Sequence, residues 1–133
     1  MNEKDAPVLL SNGLSQPPIP RRLRELLNNY PEHLERLQEA LNYAFDGPGP
    51  ARGSTSHIFE QVIWALEGRL DTFLREAKTE LAAAQTSGDA AAIAQADAKF
   101  RLMIRCRSSS GGMKLFHMDE LTQYIENHKE ELR

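Results

Sequence analysis

Between Phe59 and Ala84 apolar side chains recur every three or four residues with no proline to interrupt them: Phe59, Ile63, Leu66, Leu70, Phe73, Ala77 and Ala84, with Glu80 as the one polar intruder. A strand would alternate faces at every residue, whereas a helix brings residues three and four apart onto one side. The stretch therefore reads as one long helix with a coiled-coil-like seam, widened by Val62, Leu74 and Leu81. Composition extends that reading to the whole chain. Leu and Ala total 32 residues, Val and Ile only 8. Unbranched Leu and small Ala lose little on entering a helix, while β-branched residues favour strands. No alternating stretch of strand length occurs, so the expected class is all-α.

The breaks divide the chain of 133 residues. Residues 1–19 contain Asn12-Gly13 and Pro17-Pro18, show no period, and read as a flexible N-terminal tail. A single helical domain is expected over 20–133. In its N-terminal part, 20–45, Leu23, Leu26, Leu27 and Tyr30 mark a short helix. Pro31 then opens a second one at the first-turn position that proline tolerates, with Leu34, Leu37, Leu41, Ala44 and Phe45 as its stripe. The Gly-Pro stretch from Asp46 to Gly53 ends it, and Ser54, Thr55 or Ser56 is expected to cap the long helix. That helix and the next form an antiparallel hairpin over 57–107, turning at Ser87-Gly88-Asp89. Gly suits a left-handed C-cap there and Asp89 caps the following helix. Ile93, Ala96, Phe100, Ile104 and Arg107 are expected along the inner line of the second arm. A C-terminal helix over 119–133, capped by Asp119, carries Leu121, Tyr124, Ile125, His128 and Leu132. The expectation is thus a bundle of about five helices around a long hairpin.

The arms are unequal. Folding about Gly88 sets Arg107 beside Leu70, so residues 57–69 overhang the shorter arm by about 20 Å at ~1.5 Å per residue. Phe59, Val62, Ile63, Trp64 and Leu66 lie on that overhang, too much apolar surface to leave wet. The N-terminal helices and the last helix must cover it, or a second chain does. Nine Ala between Ala82 and Ala98 make the hairpin tip slender.

Charge and cysteine content set limits on function. Charged residues are 26% and the net charge is −3, which excludes a wholly disordered chain and a generally basic nucleic-acid coat. One cysteine excludes a disulfide framework and a Cys-based zinc site, and suits a reducing compartment. No apolar run approaches a membrane span, and the first ten residues lack the stretch of a signal peptide. A cytoplasmic protein with no membrane partner is expected.

Signals for chemistry are weak. His57, His117 and His128 each precede a Glu three residues on, a spacing that shares a helical face. No Glu-x-x-His pair of the di-iron type and no His-Glu-x-x-His accompanies them, so no metal site is expected. Gly47-Pro-Gly-Pro-Ala-Arg-Gly53-Ser-Thr lacks the spacing and Lys of a phosphate loop, and its prolines remove N–H donors. Cys106 lies between Arg105 and Arg107, which would favour a thiolate. It also lies beside Leu102 and Met103 and has no base nearby, so a packed small hydrophobe is expected. Neither catalysis nor a cofactor is indicated.

Surface signals are stronger. Lys99, Arg101, Arg105, Arg107 and Lys114 stand in a stretch without an acid, and Arg21, Arg22 and Arg24 form a second basic cluster. They would grip phosphates, unless Asp97 meets Arg101, Glu76 or Glu80 faces them from the other arm, and Arg107 pairs with Glu67 or Asp71. Trp64 and Gly68 are one turn apart and off the main seam. A glycine in mid-helix costs roughly 1 kcal/mol against alanine, so it serves a close approach, within the chain or to another molecule. The sequence therefore points to a non-enzymatic helical adaptor or regulator working through protein–protein contact. Its contact residues would be Phe59, Ile63, Trp64, Leu66 and Gly68, with a homodimer slightly favoured over a different protein partner. The alternative is a DNA-associated regulator using Lys99, Arg101, Arg105 and Lys114 with Arg21, Arg22 and Arg24.

Overall fold

The computed structural model describes residues 16–46, 55–108 and 118–128, without the side chains of Asp46 and residues 55–57. Its helices are α1 (Arg21–Leu26), α2 (Pro31–Asp46), α3 (Thr55–Ser87), α4 (Ala90–Arg107) and α5 (Asp119–Asn127). No strand occurs among the described residues. The fold is an all-α bundle on a helical hairpin, as the Leu and Ala excess predicts. The first fifteen residues of the expected tail, the Gly-Pro stretch, Lys114, His117 and Leu132 lie outside the described residues, as does the His57 side chain.

The chain enters through a docked segment. Pro17, Ile19 and Pro20 are buried, and Gln38 Nε2 on α2 donates to the Pro17 carbonyl at 2.7 Å. The expectation of a loose tail through residue 19 is corrected at this end: Ile19 belongs to the core cluster. After α1, the Tyr30 carbonyl accepts from His33 N–H at 3.0 Å and Leu34 N–H at 3.2 Å. Pro31 is thus the first residue of α2, where its missing N–H costs nothing.

At the hairpin turn Gly88 has φ +73°. Its N–H closes α3 on the carbonyls of Ala84 and Gln85 at 3.2 and 3.3 Å. Asp89 then opens α4, its carboxylate accepting from Ala91 N–H at 3.0 Å and Ala92 N–H at 3.4 Å. Gly88→Val forces a β-branched side chain into the left-handed region and is expected to cost about 1–2 kcal/mol. Thermal melting checks this. An unchanged melting temperature would mean that the turn relaxes at no cost.

The buried line of α3 is Ile58, Val62, Leu66, Leu70, Phe73 and Ala77. Phe59 and Ile63, expected on the seam, are partly buried beside it. The N-terminal half of the helix is therefore turned by one residue, because Ile58 and Val62 continue the four-residue spacing back from Leu66. On α4 the buried residues are Met103 and Cys106, while Ile104 is 45% exposed. Ile104 is thus corrected from the inner line to the surface. Met118 holds the N-cap position of α5, so Asp119 is not the cap. Asp119 and Glu120 instead place negative charge in the first turn, where the helix dipole favours it.

The overhang past the shorter arm is present, with Arg107 of α4 level with Glu67 and Asp71, and of its two expected covers the one from within the chain is found. α2 and α5 both pack on α3, and Leu66 and Val62 are wholly buried within the chain. What projects is the opposite end. From Lys78 to Leu102 no residue is buried, because α2 begins at Pro31 and its first turns reach only to Phe73 and Glu76 on α3. The Ala-rich tip is therefore a two-helix arm, held by its caps, by alanine's helix propensity, by half-buried Leu81, Ala84, Ile93 and Ala96, and by the Lys99–Glu80 pair across it.

Candidate interaction surface

The exposed side of α3 carries Trp64, Gly68, Asp71 and Arg75, residues spaced four, three and four apart and all exposed. Trp64 is 66% exposed. A side chain at Gly68 would meet nothing within 4 Å, so the close approach expected of this glycine is not made within the described part of the chain. Thr72 Oγ1 donates to the Gly68 carbonyl at 3.1 Å and accepts from Arg75 at 3.2 Å. Trp64 and Gly68 thus form a bulky ring beside a bare backbone on one helix face. Among the other expected contact residues, Phe59 and Ile63 lean on the core, and Leu66 is a core residue. Tyr43, 75% exposed on α2, was not anticipated. Its position off the Leu34, Leu37, Leu41 and Phe45 stripe is the signal that could have found it.

The basic segment is largely neutralised from within. Lys99 reaches Glu80 at 2.9 Å, Arg101 reaches Asp97 at 2.8 Å, and Arg107 spans Glu67 at 2.9 Å and Asp71 at 2.8 Å. Arg107 and its two carboxylates tie the arms of the hairpin together. In the first cluster Arg21 and Arg22 both face Glu25, and Arg24 pairs with Glu120 of α5. Arg105 has no ion pair among the described residues. Cys106 is fully buried, and burial pushes its thiol up to about 11 against the opposing pull of Arg105 and Arg22. It is a packing residue, as its neighbours Leu102 and Met103 suggest.

A polar–aromatic junction joins α2, α3 and α4. His33 lies edge-on to Phe73 at 4.5 Å and to Tyr30 at 5.5 Å. Arg36 covers the Phe73 ring at 4.7 Å and holds both Glu76 oxygens, at 2.7 and 2.8 Å, while Lys99 sits 5.7 Å over Tyr30. Burial, then Lys99 and Arg36, hold His33 below its ordinary 6.5, with Glu76 and Glu80 opposing weakly. The unfolded chain therefore takes up a proton near pH 6.5 before the folded one does. His33's contribution to stability is full above that pH and falls as the pH drops through and below it. His33→Phe is expected to flatten the difference between urea midpoints at pH 7 and pH 5. An equal slope in both proteins would remove His33 as the cause.

No group of three or more potential metal ligands occurs among the described residues, and no helix there is long and apolar enough to cross a membrane. No family model, curated protein or solved structure matches the chain.

Proposed function

We propose that this chain is a non-enzymatic helical adaptor or regulator that works through protein–protein contact, and that it self-associates through the outward side of α3. The observation that carries this is the exposed Trp64 beside the bare backbone of Gly68. Large exposed aromatic residues are the typical anchors of protein interfaces, and a glycine with no internal neighbour permits a close approach from outside. A single buried thiol fits a reducing compartment, so the protein is assigned to the cytoplasm. The reading as a DNA-associated regulator is the weaker one, since most of its arginines and lysines face carboxylates of the same chain.

Sedimentation equilibrium from micromolar to hundreds of micromolar tests the proposal. Trp64 is the sole tryptophan, so its emission should shift to the blue over the range in which the mass rises above 15.0 kDa. A single 15.0 kDa species with constant emission throughout would overturn self-association.

A further inference from the structure

The geometry points to a specific mode for that self-association: two copies of α3 cross antiparallel about a two-fold axis level with Leu66, each Trp64 lying over the second copy's Gly68. The inference rests on the self-association reading above and adds to it the register and the pairing.

Trp64, Gly68, Asp71 and Arg75 repeat at the four-three spacing of a helix–helix seam, yet all four are exposed and none belongs to the apolar core cluster. This is a second seam on α3, on the side away from the core line of Val62, Leu66, Leu70 and Phe73. Its only large apolar side chain is Trp64. The site best able to receive an indole is the one without a side chain, Gly68, where a Cβ would meet nothing within 4 Å. Trp64 and Gly68 are one turn apart on the same helix, so one chain cannot place its own indole flat on its own glycine and also bury it. A two-fold operation midway between them places both indoles on both glycines at once, and homo-oligomers are built on such self-complementary patches.

Charge supports the same register. About this axis the mirror position of Glu60 is Thr72, so the second copy's Arg75 falls within one helical turn of Glu60. Among the described residues Glu60 has no ion pair, and Arg75 donates to Thr72 and meets no carboxylate. The intervening Glu67 and Asp71 are already matched by Arg107. The crossing therefore joins two acid–base pairs by symmetry and adds no unmatched charge from that pair of carboxylates. One helix face with a single aromatic anchor per copy is expected to bury less than the roughly 800 Å² per partner of a stable interface, so a weak dimer is expected, forming at tens to hundreds of micromolar.

Charge reversal tests the register. Glu60→Arg and Arg75→Glu each place like charges opposite one another twice in a homodimer, and each is expected to weaken self-association about tenfold or more. Mixed together, the two variants restore both pairs, so they should form a heterodimer at wild-type strength while neither forms a homodimer. Gly68→Gln separates association from folding. Glutamine is a better helix former than glycine, so the dilute protein should melt higher, while the filled notch should weaken the dimer about tenfold or more. A wild-type dimer whose affinity is unchanged by all three substitutions would overturn this crossing and leave self-association standing. A wild-type chain that stays monomeric to hundreds of micromolar would overturn both.

Discussion

Phe73→Ala is expected to lower the unfolding free energy by about 3–5 kcal/mol, a large part of the roughly 5–15 kcal/mol that holds a domain of this kind. Phe73 is fully buried in the middle of the α3 core line. Its ring meets His33 from α2 at 4.5 Å and lies under the Arg36 guanidinium at 4.7 Å. Truncation leaves a cavity and also removes the ring that positions Arg36 for its two hydrogen bonds to Glu76. Urea denaturation in dilute solution measures the loss. Trp64→Ala is the matched control, a larger truncation on the exposed side of the same helix, and should change the unfolding free energy by no more than about 0.5 kcal/mol. Comparable losses in the two variants would contradict the assignment of inner and outer faces.

That assignment shows where sequence reasoning succeeded and where it slipped. The helices, the Gly88 turn and the Asp89 cap were legible because each depends on local chemistry: periodicity, a left-handed residue, a carboxylate aimed at free N–H groups. Ion pairs across the hairpin were legible for a related reason. Once the turn is placed, the arms are in register, and Arg107 has to fall between Glu67 and Asp71. Burial at the N-terminal end of α3 was less legible. Ile58-Phe59 and Val62-Ile63 are adjacent apolar pairs, and spacing alone does not say which member of each pair points inward. The same ambiguity exchanged Met103 and Ile104 on α4.

Long-range coverage was the harder problem. The seam of α3 gives no indication that α2 lies beside its central part and leaves the tip bare, because that depends on how far α2 reaches along α3. The Arg36–Glu76 pair lies near the end of that reach, and nothing near either residue in sequence announces which part of α3 it meets. Trp64 and Gly68 were legible as a pair, since a tryptophan and a glycine off the seam stand out in any helical projection. Tyr43 was not singled out, although the same projection places it off its own stripe.

Leu66→Asp is expected to abolish the fold. The sequence alone leaves two readings of Leu66: a surface shared with a second copy, where such a change would separate a dimer and leave folded monomers, or a core covered within the chain, where it would unfold the protein. In the structure Leu66 is wholly buried, between Val62 and Leu70 on the core line. Removing the leucine side chain costs about 2–5 kcal/mol. The aspartate must then either ionise in an apolar interior or stay protonated at neutral pH, and a buried carboxylate without partners adds a further penalty of several kcal/mol. The total reaches the stability of an ordinary domain. Far-UV circular dichroism should therefore show most of the helix lost at neutral pH, with no cooperative melting transition. Sedimentation should report an expanded or aggregated chain, in contrast to the folded monomers expected from Glu60→Arg. A Leu66→Asp protein with native helix content and an altered association state alone would return Leu66 to the surface and remove α2 and α5 as the cover of that part of α3.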